Sequence, residues 1–438
     1  MRYESITDAI GGTPLVAIPP EVHGLVGIDL YAKLEMLNPF GSVKDRAAWN
    51  MARERLDDAR RDAAAVVELS SGNTAKALAV IAGMHGLPFR SVTNRMKVPE
   101  IKDLLLLLGA QIEELPGQTE CLDPTDTEEP LTRMYRRLTE ERSEFLHTDQ
   151  YFNPLNRQAH QDATGPEIVA DLDGRVPDYF IACVGTAGSS TGVARALRAR
   201  GAVGVWGVVA DRSDFIPGIR TADELTEVGL FDPDTFDRID SVTSQQAIDG
   251  MLVLNRRCGI LGGPTAGAAY FAAVRALGEV EVAPGERKTA VFIVCDRVES
   301  YMSYVRQRRP ELLQRPARAN DVRTVSEDEV AQVRSLSVAE AAEWIERERP
   351  VVIDLRGSFA FRALHLAGSI NIVDEVFGEL AQDGIPVSPQ QPVLLVCPVG
   401  EQSLRYAALL KRLGHRDARS LAGGVVAWRD AGQRLVSA

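Results

Sequence analysis

Tyr179-Phe-Ile-Ala-Cys-Val184 runs directly into Gly185-Thr-Ala-Gly-Ser-Ser-Thr-Gly192. An apolar run without a charged break predicts a strand buried on both faces, as in a parallel sheet covered by helices. The glycine- and hydroxyl-rich stretch after it predicts a tight loop opening a helix. Similar runs recur at Ala65-Val-Val-Glu-Leu69, Val205-Trp-Gly-Val-Val209 and Thr289-Ala-Val-Phe-Ile-Val-Cys295. Helix-patterned segments, such as Asp45 to Leu56 and Thr74 to Met84, lie between strand runs. This alternation predicts an α/β fold.

The pattern changes after Tyr304. Arg306, Arg308, Arg309, Arg315 and Arg318 cluster with Pro310 and Pro316, and acidic and small residues continue to about Arg334. We read residues 306–334 as a linker. A smaller α/β unit follows: helix Val338 to Arg347, strand Val351-Val-Ile-Asp-Leu355, strand Pro392-Val-Leu-Leu-Val-Cys397, helix Ser403 to Leu413. The predicted division is 1–305, 306–334 and 335–438. A length of 438 residues accommodates it at roughly 100–200 residues per domain.

A formal charge of −12 argues against a nucleic-acid coat or a polybasic membrane anchor. No apolar run reaches the ~18–20 residues of a membrane span. Met1-Arg-Tyr-Glu-Ser5 lacks a signal-peptide core. The five cysteines, Cys121, Cys183, Cys258, Cys295 and Cys397, form no CxxC pair, and the six histidines form no HExxH. Neither a disulfide framework nor a metal site is predicted, and a reducing cytoplasm is the expectation.

Four segments carry chemistry. Asn38-Pro-Phe-Gly-Ser-Val-Lys-Asp-Arg46 sets Lys44 just inside a helix start. There, helix-terminal N–H groups and partial burial lower an amine's pKa, and an uncharged amine is what a Schiff base needs. Alone, Lys44 also fits a surface lysine. Glu68-Leu-Ser-Ser-Gly-Asn-Thr-Ala75 joins a strand to a helix and leaves N–H groups for an anion, or is a plain N-cap. The loop from Gly185 can nest a phosphate, or simply turn the chain. Cys397-Pro-Val-Gly-Glu-Gln-Ser403 puts a thiol at a strand end before a helix, a setting that favours thiolate or persulfide. Cys183 and Cys295 read as core, and Cys121 and Cys258 carry no recognisable chemistry.

Taken together, residues 1–305 resemble the cysteine synthase and cystathionine β-synthase family, the fold type II enzymes of pyridoxal 5′-phosphate (PLP). Ile10-Gly-Gly-Thr-Pro-Leu15 resembles the family's IGxTPL opening. Asn38-Pro39, Ser42 and Lys44-Asp45-Arg46 resemble its lysine motif, and Ser70-Ser-Gly-Asn-Thr74 its TSGNT loop. Asp149-Gln150-Tyr-Phe-Asn-Pro154, His160 and Thr164-Gly-Pro-Glu167 follow in order. The Gly185 loop and Gly259-Ile-Leu-Gly-Gly-Pro-Thr-Ala-Gly267 complete the series. Residues 335–436 resemble single rhodanese domains through Asp354-Leu-Arg356, His365-Leu-Ala-Gly368, Cys397 and Gly423-Gly-Val-Val-Ala-Trp428.

The resemblance implies two parallel-sheet subdomains followed by a small α/β rhodanese domain. It implies PLP bound as an aldimine to Lys44, which also moves the α-proton. Asn73 would bond the PLP 3′-oxygen. Gly185, Thr186, Ala187, Gly188 and Ser189 would hold its phosphate. Ser70, Ser71, Gly72, Thr74 and Gln150 would grip the substrate carboxylate, and Cys397 would carry sulfur.

Four departures stand out. Ala187 and Ser189 replace a usual glycine and threonine. Arg297 stands where a serine usually faces the pyridine nitrogen, and it points either inward, keeping that nitrogen unprotonated, or outward. In the rhodanese loop, Gln402 replaces a usual arginine, which implies poor thiosulfate turnover. The segment Asp211 to Arg220 is also altered, so substrate specificity does not carry over.

The expected reaction is β-replacement on an O-activated serine through an aminoacrylate, with a Cys397 persulfide supplying sulfur. The alternatives are a cysteine desulfhydrase passing sulfur to the rhodanese domain, amine β-replacement of phosphoserine, and a non-catalytic scaffold. The expected partners are a small amino-acid substrate and a sulfur or amine nucleophile, with no nucleic acid and no membrane. A homodimer is implied by the resemblance.

Overall fold

The computed structural model describes residues 2–437 except 63, 94–97, 115–137, 139–144, 213, 314–321, 384 and 386. Cys121, Arg315, Pro316 and Arg318 therefore lie outside the described residues. The chain forms two compact units, Met1–Leu312 and Leu313–Ala438.

The first unit holds two sheets. Six strands lie in the order Leu15–Ala17, Ile28–Lys33, Lys288–Ile293, Tyr179–Cys183, Gly204–Ala210 and Arg238–Val242. The first pair is antiparallel and every other pair is parallel. Along Tyr179–Cys183, Ile181 and Cys183 enter one apolar cluster, while Phe180 and Ala182 enter another on the opposite face. Alternation of side chains sends successive residues to two covered faces, which is why the run is continuously apolar. The smaller sheet is all-parallel, ordered Gln111–Glu114, Phe89–Thr93, Ala65–Leu69, Phe145–His147.

The second unit is a five-stranded parallel sheet, ordered Ser335–Leu336, Ala418–Leu421, Val393–Val396, Val351–Asp354, Ile370–Asn371. Separate apolar clusters cover its faces.

The boundary between the units, Leu312 to Leu313, falls within the segment read as a linker, 306–334. The helix Met302–Arg308 and the 3-10 turn Pro310–Leu312 belong to the first. The helix Glu327–Ala331 belongs to the second, started by a Ser326 capping box. Arg412 fastens it through Glu329, with Nε–Oε1 at 2.7 Å. The arginines that pair with Glu327 and Glu329, Arg405 and Arg412, come from about 80 residues further along the chain.

Candidate active site

The site residues sit at the carboxyl ends of parallel strands, where strand-to-helix turns expose N–H groups. Lys44 is the first residue of the helix Lys44–Ala52. Its turn is clamped to the strand Lys288–Ile293: Val43 N–H donates to Cys295 O at 2.7 Å. Lys44 Nζ lies 3.3 Å from Thr186 Oγ1, and its side chain meets no carboxylate in ion-pair contact among the described residues. Burial lowers the pKa of its amine, and the fields of Cys295 and Asp296 partly oppose this. An amine aimed at the Gly185 loop, its pKa lowered by burial, is the kind of nucleophile that an aldehyde cofactor requires.

The neighbour Arg46 builds a rigid floor. It is 3% exposed at the side chain and bonds Glu35 at 2.7 Å and Glu167 at 2.6 Å. Lys33, fully buried, extends the network to Glu167 and Asp171, each at 3.0 Å.

The loop Gly185–Ser189 opens the helix Gly188–Arg198. Gly188 packs so closely on Asn156 that an added Cβ would lie 2.0 Å from Oδ1; only glycine fits. Ala187 takes a left-handed conformation, φ 59°, which is costly for a residue with a Cβ. Its methyl is buried with Val209 and Leu225, which offsets part of that cost. Thr186 Oγ1 accepts from Asn156 Nδ2 at 3.1 Å as well as meeting Lys44. The loop thus presents backbone donors, the helix N-terminus and the lysine amine to one point.

The Ser70–Thr74 loop divides its labour. Ser70 Oγ accepts from Gly72 N and Ala75 N, both at 3.3 Å, so its hydroxyl shapes the loop rather than facing outward. Thr74 Oγ1 donates to Gln150 Oε1 at 2.7 Å, and Gln150 Nε2 donates to Leu69 O at 2.8 Å. Gln150 therefore braces the loop. Ser71 and Gly72 are half-buried and sit where the first N–H groups of the helix Asn73–Met84 have no intrahelical acceptor.

Asn73 Nδ2 donates to Asp296 Oδ2 at 2.7 Å and to Tyr301 OH at 3.1 Å. Its Oδ1 is buried without a partner among the described residues. A buried orphan acceptor is costly unless a ligand supplies the donor. Asp296 is buried and also accepts from Thr265 Oγ1 at 3.2 Å and from Tyr301 OH. Burial pushes its carboxyl up, against the bonds from Tyr301, Thr265 and Asn73 and the charge of Lys76.

Arg297 takes the outward orientation. Its guanidinium bonds Glu299, with Nε–Oε1 at 3.1 Å, and its side chain is 41% exposed. Of the two orientations that the sequence left open, position 297 takes the one in which another group serves the pyridine nitrogen. Side chains alternate at this strand end, so Asp296 turns inward and Arg297 outward. The inward groups that sequence reading missed are Thr265, Asp296 and Tyr301. Thr265 lies within the Gly259–Gly267 turn already singled out, and that hydroxyl was the available signal.

In the second unit, Cys397 is 1% exposed at the end of the strand Val393–Val396. Its Sγ accepts from Gly400 N at 3.1 Å and Ser403 N at 3.4 Å, with Ser403 Oγ at 3.2 Å. The helix Glu401–Arg412 begins beside it. Gly424 comes so close that a Cβ would lie 2.2 Å from Cys397 O, and Val425 N–H donates to that carbonyl at 3.0 Å. Arg356 is held by Asp354, with Nη2–Oδ2 at 2.7 Å, and by Leu364 O at 2.6 Å. Gln402 is tied to Asp374.

An amine with no carboxylate in ion-pair contact among the described residues, a helix start with backbone donors and the Asn73 amide beside them together suit an aldehyde- and phosphate-bearing cofactor with a phenolic oxygen. Comparison with known proteins agrees. The profile of the pyridoxal-phosphate dependent enzyme family matches residues 6–296, and that of the rhodanese-like domain matches 337–431. Cysteine synthase B of Pseudomonas aeruginosa is 32% identical over 305 residues, covering 69% of this chain and 97% of that protein. The O-acetylserine dependent cystathionine β-synthase of Helicobacter pylori superposes with a TM-score of 0.58 at 27% identity, covering 69% of this chain and 98% of that one. A hydrogen sulfide-producing enzyme of Fusobacterium nucleatum gives 0.59 at 26% identity, covering 69% and 99%. A helix-start lysine, a phosphate-type loop and this kinship lead to one conclusion: the chain belongs to the fold type II PLP-dependent enzymes of the cysteine synthase and cystathionine β-synthase group and carries a C-terminal rhodanese-like domain.

Proposed function

We propose that the enzyme replaces the β-substituent of an O-activated serine with sulfur delivered through Cys397. The observation that carries this reading is the Lys44 amine facing the Gly185 loop, in a chain that also holds a buried thiol with three donors around it. When bound, PLP withdraws electrons from the α-carbon of the amino acid, so that the α-proton and the β-substituent can leave. Lys44 binds the cofactor and then accepts the α-proton at Nζ. The Asn73 amide bonds the cofactor's 3′-oxygen, and residues 185–189 hold its phosphate. Ser71 and the N–H groups around Gly72 receive the substrate carboxylate, on a loop stiffened by Ser70, Thr74 and Gln150.

Cys397 stores sulfur as a persulfide. Two external thiols release it: Cys397 returns to the thiol, sulfide leaves, and the two thiols become a disulfide. The leaving group departs with its bonding pair after Lys44 Nζ takes the α-proton; sulfide then adds at the vacated β-carbon, and Nζ returns the proton to the α-carbon. Covalent linkage of the two units raises the local sulfide supply. Assembly as a homodimer and residence in the cytoplasm complete the reading; the free thiols of Cys183, Cys258, Cys295 and Cys397 fit a reducing compartment.

The test separates the two sites. Lys44→Ala should lose cofactor-linked absorbance and all turnover. Cys397→Ser should keep turnover on O-acetylserine or O-phosphoserine with free sulfide, yet lose turnover fed by a persulfide donor. If Cys397→Ser changes neither reaction, sulfur does not pass through the second unit. The reverse flow, cysteine breakdown with sulfide release, is favoured by the likeness to the sulfide-producing Fusobacterium enzyme. Pyruvate formed from cysteine alone would identify it.

A further inference from the structure

Asn156 lies in the short helix Pro154–Ala159 and is 1% exposed. Its side chain stands between two loops of the candidate site. Nδ2 donates to Gln150 O at 2.7 Å and to Thr186 Oγ1 at 3.1 Å. Gln150 O is a backbone carbonyl and can only accept, so the amide cannot be turned end for end: Oδ1 in that place would meet another oxygen at 2.7 Å. Oδ1 lies instead against Gly188, where an added Cβ would fall 2.0 Å from it, and it has no partner among the described residues. A buried acceptor left unpaired is destabilising. The protein tolerates this at Asn156 while using both amide hydrogens, so the donor half of the amide is what the site needs.

Thr186, 6% exposed, has one hydroxyl proton and two lone pairs. Asn156 Nδ2 occupies one lone pair. The hydroxyl is thereby an acceptor on the Asn156 side, and its proton points elsewhere. Among the described residues the other neighbour of Oγ1 is Lys44 Nζ at 3.3 Å, and Lys44 is committed to the aldehyde when the cofactor is bound. The remaining acceptor is the phosphate on the Gly185–Ser189 loop. Neither a carboxylate nor an apolar group at 156 would give this result. The first would take the proton for itself, and the second would leave the hydroxyl free to turn.

We propose that Asn156 is a positioning residue for the cofactor phosphate: by donating to Thr186 Oγ1, it aims the Thr186 hydroxyl proton at the phosphate. The proposal rests on the reading that residues 185–189 hold that phosphate. The same amide also holds Gln150, whose side chain braces the Ser70–Thr74 loop. One buried side chain therefore ties the phosphate loop to the loop that receives the substrate carboxylate.

The test compares two ligands on the full-length protein after its cofactor has been removed. One is PLP. The other is 5′-deoxypyridoxal, which keeps the aldehyde and the phenolic oxygen but has no phosphate. Affinities are read by absorbance titration, with melting temperatures as a fold control. Thr186→Val should weaken PLP binding about tenfold, the worth of one hydrogen bond to a charged group, and change deoxypyridoxal binding far less. Asn156→Leu should show the same selective loss, and Asn156→Ala is the second variant if leucine does not fold. In a Thr186→Val background, replacing Asn156 should add nothing to the loss of PLP affinity, because its effect passes through the missing hydroxyl. Equal losses for the two ligands in the Asn156 variants would mean that the amide only supports the fold, and they overturn the proposal. Undiminished PLP affinity overturns it too, as does a loss that persists in the Thr186→Val background. If Thr186→Val itself leaves PLP affinity unchanged, the phosphate reading fails at that residue and takes the proposal with it.

Discussion

Gln402 occupies a position in the Cys397 loop where a cation would help an anionic sulfur donor, and its amide is instead engaged by Asp374. The donors to Cys397 Sγ, Gly400 N–H and the Ser403 N–H and hydroxyl, are all uncharged. They stabilise a thiolate or persulfide but supply no net charge for a dianion such as thiosulfate. Replacing Gln402 with arginine should therefore raise thiosulfate turnover roughly tenfold, the worth of about one charge-assisted contact. Turnover with an uncharged persulfide donor should change far less. A thiosulfate–cyanide assay beside a persulfide assay distinguishes the outcomes. Equal gains with both donors would mean that Gln402 limits the loop's geometry rather than its charge.

At the scale of elements, the helix Lys44–Ala52 is held less by its own propensity than by the ions beneath it. Arg46 spans Glu35 and Glu167, and Lys33 lies against Glu167 and Asp171. Removing one partner of a buried pair strands the others. Arg46→Met should thus cost about 3–5 kcal/mol in the first unit's denaturant stability. It should also weaken PLP binding, because Lys44 sits two residues away on the same turn. Burial pushes the Glu167 carboxyl up, but the Arg46 bond and the charges of Arg46 and Lys33 outweigh it and bring the pKa from 4.5 to about 2. A depressed folded value means stability that is present above pH 4.5 and is lost as the pH falls toward 2. Urea midpoints measured down that window should drop in wild type and drop less in Arg46→Met.

Across the whole molecule, each unit buries its own core, the first around Ile181, Phe292 and Phe180 and the second around Ile353, Leu395 and Trp428. Calorimetry of the full chain should therefore resolve two unfolding transitions. Saturating PLP should raise one of them, since ligand stabilises only the unit that binds it. Arg412→Ala, which frees Glu329 and with it the helix Glu327–Ala331 from the helix Glu401–Arg412, should lower the other. A single transition moved by both changes would contradict two separately stable cores.

The sequence by itself determined the fold class and the order of the site segments. Strand periodicity and glycine-rich turns are local properties, and each is legible within a few residues of chain. The strand Tyr179–Cys183, the helix starts at Lys44, Asn73 and Gly188, and the thiol at the end of Val393–Val396 all come from such signals. Only the tertiary structure decided which side chains face inward. It turned Asp296 in and Arg297 out. It used the Ser70 hydroxyl and Gln150 to brace a loop. It also split 306–334 between two units. Those outcomes depend on partners tens or hundreds of residues away, and the energy of a buried charge is set by what folding brings next to it, not by its neighbours in the chain.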